Sequence, residues 1–264
     1  LDPMASGVLV LCLGQTTRLV EYYQGHNKTY LAEITLGAAT DTYDALGTVI
    51  GTAPIPDLTP QVIEQALARF RGEIDQKPPV FSALKQGGES LHRKARRGET
   101  VEIVARQITI HDLSLVDWKE PDRIRVRVCA SAGTYVRSLA HDLGEALGTV
   151  AHLSALRREA AGAITLDDAL TWAELSADGE HLADHLHPPG WKLSMPVRTL
   201  DVETIRLLGF GQRIRLSQEG EAAATGDLVQ GVNEAGAFVG ILRCLGAEDD
   251  GSALWKAEKW FALT

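Results

Sequence analysis

The chain has few of the features that would place it in a special class. No run reaches the roughly 18–20 consecutive apolar residues that a membrane-spanning helix needs, so no span is expected. Its three cysteines, Cys12, Cys129 and Cys244, are scattered through apolar, strand-like stretches. They fit neither a zinc spacing nor a disulfide framework, which points to buried, reduced thiols in a cytoplasmic setting. No metal-ligand or nucleotide-cofactor motif is present: Gly209-Phe210-Gly211 lacks the lysine and the helix signature of a phosphate loop. His141-Asp142, adjacent on one expected helix, point in different directions and make no dyad. Internal repeats and low-complexity tracts are absent, and positive charge is scarce, with a net charge of −9. That balance argues against a nucleic-acid partner.

What is there is an ordinary globular composition, 45% hydrophobic and 23% charged over 264 residues, enough for one large domain with a small appendix. The charge is also unevenly spread. Ser82 to Gly98 holds Lys85, Arg93, Lys94, Arg96 and Arg97 against the single acid Glu89. Local field decides where a polyanion docks, so this stretch is the candidate.

Along the chain, Val8 to Leu13 is a continuous apolar run that reads as a strand buried on both faces. Tyr30 to Leu36 alternates and reads as a second strand, closed by Gly37. Thr59-Pro60 has the form of a helix cap followed by proline at the first helical position. Val62, Ile63, Ala66, Leu67 and Phe70 then share one face, up to Gly72. Arg123 to Cys129 alternates, with Ile124, Val126 and Val128 on one side and three arginines on the other. That arginine face suits either phosphate tracking or plain solvation. A helix capped by Thr134 runs to about Leu147 with Val136, Leu139, Ala140, Leu143 and Leu147 as its stripe. A second helix covers roughly Leu166 to Leu175. His185 to Gly190 breaks the pattern, and a linker is placed at 184–194. From residue 195 short β-type runs (Arg213–Leu216, Leu228–Val232, Ala237–Leu245) suggest a small β-barrel-like domain.

Single residues say less. Asp2, followed by Pro3, has the form of a turn or cap aspartate. Arg137 is more unusual: in the first turn of a helix the macrodipole disfavours a cation, and beside an apolar stripe it needs an anionic partner. Tyr30 and Tyr135 are each compatible with an ordinary core or rim position.

The order of the blocks is more telling. Leu1 to Leu9 (LDPMASGVL) resembles the "LDPxA(S/T)GVL" signature of TruB-type tRNA pseudouridine synthases. Leu13 to Arg18 resembles that family's "LGxxTK", with arginine for lysine. Lys28-Thr29-Tyr30 resembles "KxY", and Gly37 to Gly47 (GAATDTYDALG) resembles "GxxTDTxDxxG". Gln76 to Lys85 is similar to "QxPPxFSAxK", and Ala95 to Glu99 to "ARxGE", with His92 where tyrosine is usual. Gly133 to Arg137 is similar to "GTYIR", and Leu156-Arg157-Arg158 to "LRR". One block is weak evidence; a whole series in one order is not.

The resemblance implies an α+β fold: a catalytic domain over residues 1–183 on a mixed, mostly antiparallel sheet with flanking helices. A linker at 184–194 and a small β-rich PUA-like RNA-binding domain at 195–264 follow. It implies Asp2 as the nucleophile, Arg137 as its ion-pair partner and Tyr30 as the ring stacked on the target uracil. Tyr135 and Leu156 would line the pocket, with Asp44 and Arg18 on its polar wall. The loop at about 82–101, with Lys85, Arg93, Lys94, Arg96 and Arg97, would bind RNA. The expected reaction is isomerisation of uridine 55 in the tRNA T arm by a cytoplasmic monomer, without metal, cofactor or guide RNA. A non-catalytic tRNA-binding or folding protein, or a guide-dependent (box H/ACA) synthase, are the alternatives. Family members carry a strand, a helix and a histidine ahead of the aspartate, so a piece of a longer protein is expected.

The chemistry is consistent with those roles. The N-glycosidic bond breaks, the base turns, and a bond forms through C5; no redox partner is required. A carboxylate in a dry pocket attacks or stabilises the sugar, and a neighbouring guanidinium keeps it charged. A stacked base must be flipped out onto an aromatic face.

Overall fold

The structure, a computed structural model, describes residues 1–82, 85–86, 89–90, 97, 103–119, 121–217, 223–248 and 250–261. The chain divides into two compact units. One comprises Leu1–Val10 with Gly25–Ala169, the other Leu11–Gln24 with Leu170–Thr264. This division falls ahead of the linker expected at 184–194, and the excursion Leu11–Gln24, carrying α1 (Val20–Gln24), goes with the second unit.

The first unit is built on β1 (Ser6–Gly7), β2 (Lys28–Leu36), β3 (Ala38–Thr40), β4 (Val49–Thr52) and α2 (Pro60–Ala68). It continues with β5 (Gly72–Gln76), β6 (Lys85–Gln86), β7 (Glu89–Ser90), β8 (Arg106–Lys119), β9 (Arg123–Ala130), α3 (Val136–Ala146), β10 (Ala151–Ala161) and β11 (Ile164–Thr165). Its main sheet has the order β1-β10-β2-β9-β8-β5, with β11 added on β10. The β1–β10 pair is parallel and the other pairs are antiparallel. With flanking helices this is the α+β architecture expected.

Alternation sets the layers. Ala32, Ile34 and Leu36 of β2 and Ile124, Val126 and Val128 of β9 are buried, facing Ile63 and Leu67 of α2 and Leu139 and Leu143 of α3. Thr59 caps α2 by accepting the Val62 N–H, with Pro60 behind it. Val62 itself is exposed rather than on the core face. The cap of α3 differs from the sequence reading. Tyr135, not Thr134, holds the N-cap position without a side-chain bond. Its N–H donates to Gln76 Oε1 (2.8 Å) and its carbonyl accepts from Gln76 Nε2 (3.0 Å). A buried glutamine from β5 thus does the capping.

Val8 to Leu13 is not a buried strand. Only Ser6-Gly7 pairs with β10, Val8 is buried, and Leu9, Leu11 and Leu13 are 54–70% exposed. An apolar run carries no periodicity that separates a buried strand from an extended surface segment. The helix expected from Leu166 to Leu175 is also absent as one piece. A 3-10 turn at Leu166–Asp168 gives way to extended backbone, and Thr171 with Glu174 forms a capping box that starts α4 (Trp172–Ala177).

The second unit contains β12 (Val197–Thr199), α5 (Val202–Gly209), β13 (Ile214–Ser217), β14 (Leu228–Val232), β15 (Phe238–Ala247) and β16 (Ser252–Trp260). Its five-stranded sheet has the order β12-β14-β15-β16-β13 around a core that includes Leu208, Val239, Leu242 and Trp255. Helix α5, capped by Asp201, and strand β16 have no counterpart in the sequence reading. Of the cysteines only Cys244 is buried; Cys12 and Cys129 are partly exposed. Among the described residues no helix is long and apolar enough to cross a membrane.

Candidate active site

Asp2-Pro3-Met4-Ala5 is a tight turn, with the Ala5 N–H donating to the Asp2 carbonyl at 2.9 Å. The turn reading of Asp2 therefore holds for its backbone, while its side chain does something else. Gly7, at φ 101°, follows it onto β10, where an added Cβ would run into the Arg158 carbonyl. Only glycine fits so close an approach. The Val8 N–H donates to the Arg158 carbonyl (2.9 Å) and Arg158 Nε donates back to the Val8 carbonyl (2.6 Å). The Val8 end of the short Asp2 segment is thus stitched to β10.

Arg137 sits at the second position of α3 and is 8% exposed. Its Nε lies 3.2 Å from Asp2 Oδ2, an ion pair without the alignment of a hydrogen bond, since Nε has no aligned acceptor among the described residues. Nη1 is 3.1 Å from Asp44 Oδ2 and donates to the Thr42 carbonyl (3.2 Å), while Nη2 donates to the Phe81 carbonyl (3.2 Å). One buried guanidinium thus meets two carboxylates and two carbonyls. Asp44, 6% exposed in its side chain, is itself tied to Thr42 Oγ1 (2.7 Å) and to the Leu46 N–H (3.0 Å). Asp2, 29% exposed, is the less tied of the two carboxylates and the one open to a ligand.

Tyr30 on β2 stands opposite Arg158 on β10. Burial pushes its phenol up, the nearby Arg158 guanidinium pulls the other way, and the charge of Asp2 adds to the rise. Asp2, Tyr30 and Arg158 therefore share one electrostatic neighbourhood. Leu156, two residues before Arg158 and on the same sheet face, is buried in the core against which Met4, Ala5 and Tyr30 pack. Tyr135 lies at the start of α3, two residues from Arg137.

Arg18 belongs to the second unit, where Nη1 donates to the Trp260 carbonyl (2.8 Å) and the guanidinium covers the Phe261 ring at 5.3 Å. These contacts pack Arg18 within the second unit. Lys85 lies on β6, Arg97 is exposed at a turn, and Arg93, Lys94 and Arg96 lie outside the described residues. Two of the three arginines on the β9 face carry ion pairs: Arg127 pairs with Glu159 at 2.8 Å and Arg123 with Glu33 at 3.8 Å. His141, Asp142 and Glu145 bring their ligand atoms within 4.8 Å of one another, closer than divergent neighbours on a helix would be, because Glu145 lies one turn on. Sequence reasoning missed Gln76, Thr42 and the Phe81 carbonyl; the "QxPP" block was the available signal for the first.

Residues 1–136 match the TruB family pseudouridylate synthase N-terminal domain, and residues 137–191 match the tRNA pseudouridylate synthase B C-terminal domain. The chain belongs to the TruB family. Among its TruB relatives, tRNA pseudouridine synthase B of Xanthomonas campestris pv. campestris (strain B100) is 43% identical over 219 residues, covering 81% of this chain and 71% of the relative. The tRNA pseudouridine synthase B of Burkholderia lata is 44% identical over 246 residues, covering 92% and 76%. Among solved structures, that of a Cbf5-Nop10-Gar1 complex superposes with a TM-score of 0.73 at 24% identity, covering 99% of this chain and 74% of that one. An H/ACA ribonucleoprotein bound to a substrate RNA containing 2'-deoxyuridine gives 0.71 at 21% identity, covering 100% and 74%. At those identities the likeness concerns the fold. The TruB motif positions Asp2 and Arg137, far apart in the chain, are the two that meet in the ion pair.

Proposed function

We propose that this chain isomerises uridine to pseudouridine in tRNA, at uridine 55 of the T arm, with Asp2 as nucleophile on a flipped-out nucleotide. The observation that carries this reading is the 3.2 Å Asp2–Arg137 ion pair, formed between two family motif positions in a largely buried setting. In the reaction the C1'–N1 bond of uridine breaks and its electron pair leaves with the uracil. The carboxylate of Asp2 adds to the sugar or stabilises it. After the base turns, C5 bonds to C1' as any Asp2–C1' bond breaks and the carboxylate is released; C5 then loses its proton and N1 takes one up, so that the net change is an isomerisation. Arg137 keeps Asp2 aimed. Asp44 and the two carbonyls hold Arg137, so the guanidinium needs no reorganisation when the sugar becomes electron-poor. Tyr30 supplies the face on which the base stacks and is the candidate proton acceptor. Tyr135 and Leu156 line the same pocket.

Recognition of the RNA is assigned to the basic stretch at 82–101, with Lys85, Arg93, Lys94, Arg96 and Arg97, and to residues 195–264 as a PUA-like module. The protein acts as a cytoplasmic monomer without a guide RNA; identities of 43–44% to tRNA pseudouridine synthases B, against 21–24% to the H/ACA-type structures, support the guide-independent type.

The test is direct. Incubated with an unmodified tRNA transcript, the chain forms pseudouridine, and Asp2→Asn lowers the rate by roughly 10⁴-fold or more while tRNA affinity stays within about three-fold. Turnover by the variant near that of the unmodified chain sinks the assignment. Binding without product from the unmodified chain favours the tRNA-binding, non-catalytic reading.

A further inference from the structure

The turn that delivers Asp44 to Arg137 contains a residue in an unfavourable backbone state. Tyr43 has φ 62°, the left-handed region where a Cβ crowds the backbone and glycine or asparagine is usual. Its position gives that conformation consequences. Thr42 on one side offers its carbonyl to Arg137 Nη1 (3.2 Å), and Asp44 on the other side places Oδ2 3.1 Å from the same nitrogen. The Tyr43 carbonyl accepts the Leu153 N–H at 3.0 Å, and the Ala45 N–H donates to the Leu153 carbonyl at 2.9 Å, so the turn is zipped onto the start of β10. A return of Tyr43 to negative φ would swing both acceptors off the guanidinium.

The Tyr43 ring lies flat on the imidazole of His141, with centroids 4.1 Å apart and planes 5° apart. His141 is four residues beyond Arg137 on α3 and therefore on the same face of the helix. The helix holds the turn at two points, by charge through Arg137 and by ring contact through His141. Among the described residues hydrogen bonding does not account for where the imidazole sits: its buried Nδ1 has no partner there, and Nε2 faces Glu145 at 3.6 Å. A buried ring nitrogen left unpaired is a cost, and the stack is the compensating contact.

We propose that His141 is a positioning residue for the Asp2–Arg137–Asp44 relay and acts through Tyr43. Its ring clamps the left-handed turn, so that Thr42 and Asp44 occupy Nη1 and leave Nε to Asp2. The assignment rests on the reading of Asp2 as the nucleophile.

The experiment uses the full chain, an unmodified tRNA transcript, single-turnover pseudouridine formation and tRNA Kd. His141→Ala slows the chemical step by roughly tenfold as the strained turn relaxes, with Kd changed by less than about two-fold. His141→Phe keeps a flat ring and restores the rate to within about three-fold. Tyr43→Gly removes the ring and the conformational penalty together, and in that background His141→Ala adds no further loss. The proposal is overturned if His141→Ala leaves the rate unchanged, weakens tRNA binding in proportion, or slows the Tyr43→Gly chain as much as the original. Absence of product from the unmodified chain counts against the catalytic reading instead. The clamp is then read from thermal unfolding: Tm losses of His141→Ala and Asp44→Asn are non-additive if it exists and additive if it does not.

Discussion

Arg137 and the arginine face of β9, both in the first unit, behave differently in the structure. Around Arg137 a single guanidinium is 8% exposed and meets Asp2, Asp44 and two backbone carbonyls. On β9, Arg123 and Arg127 have side chains 56% and 48% exposed, each against one glutamate. Coulomb attraction is weak where water screens it and strong where water is excluded. The buried cation is therefore an obligate part of its surroundings, whereas the exposed ones are solvated and interchangeable. Position relative to solvent, rather than the number of arginines, separates a site from a surface.

That contrast is open to measurement. The largest effect is expected from Arg137→Met, which leaves Asp44 buried beside no cation. Equilibrium denaturation should show a loss of about 3–5 kcal/mol, and pseudouridine formation should fall to background. A loss below about 1 kcal/mol would place Arg137 with the surface arginines. Next is Gln76→Ala, which strips both bonds from the Tyr135 backbone at the start of Arg137's helix. Its expected cost is about 2–3 kcal/mol, together with a slower chemical step.

A third prediction extends the burial argument to a phenol in the second unit. Tyr23 donates to the Trp191 carbonyl (2.8 Å), and burial pushes it up to about 12 from an ordinary value of 10.0. The folded state thus holds this proton more tightly than the unfolded chain. The corresponding stability is present below pH 10 and lost as pH rises toward about 12. Tyr23→Phe should flatten that alkaline decline at a neutral-pH cost of about 1 kcal/mol. An unchanged decline would mean that other groups carry it. Smallest of all, Arg127→Ala should alter stability by less than about 1 kcal/mol and leave tRNA affinity and its salt dependence alone. A clear drop in the salt slope would instead make β9 a phosphate track.

Much of the fold was readable because strands and helices repeat over short distances. Alternation in Tyr30–Leu36 and Arg123–Cys129 and the Thr59-Pro60 cap all appear as expected. Errors came where short-range pattern is silent. Val8–Leu13 is uniformly apolar, so nothing in it distinguishes a buried strand from an extended edge. Thr134 was a plausible cap, but the partner chosen by the Tyr135 backbone is a glutamine 59 residues earlier. Helix α5 was hidden by its shortness, although Asp201 marked its start.

By itself the sequence determined the order of the family blocks, the α+β alternation and the identity of Asp2, Tyr30 and Arg137 as residues worth following. Tertiary structure alone decided what surrounds them. Arg137 is held by partners 93, 95 and 56 residues away, and Arg18 donates to a carbonyl 242 residues away, that of Trp260. The reason is physical: local periodicity reaches a few residues along a chain, whereas a buried charge takes whichever acceptors packing brings to it.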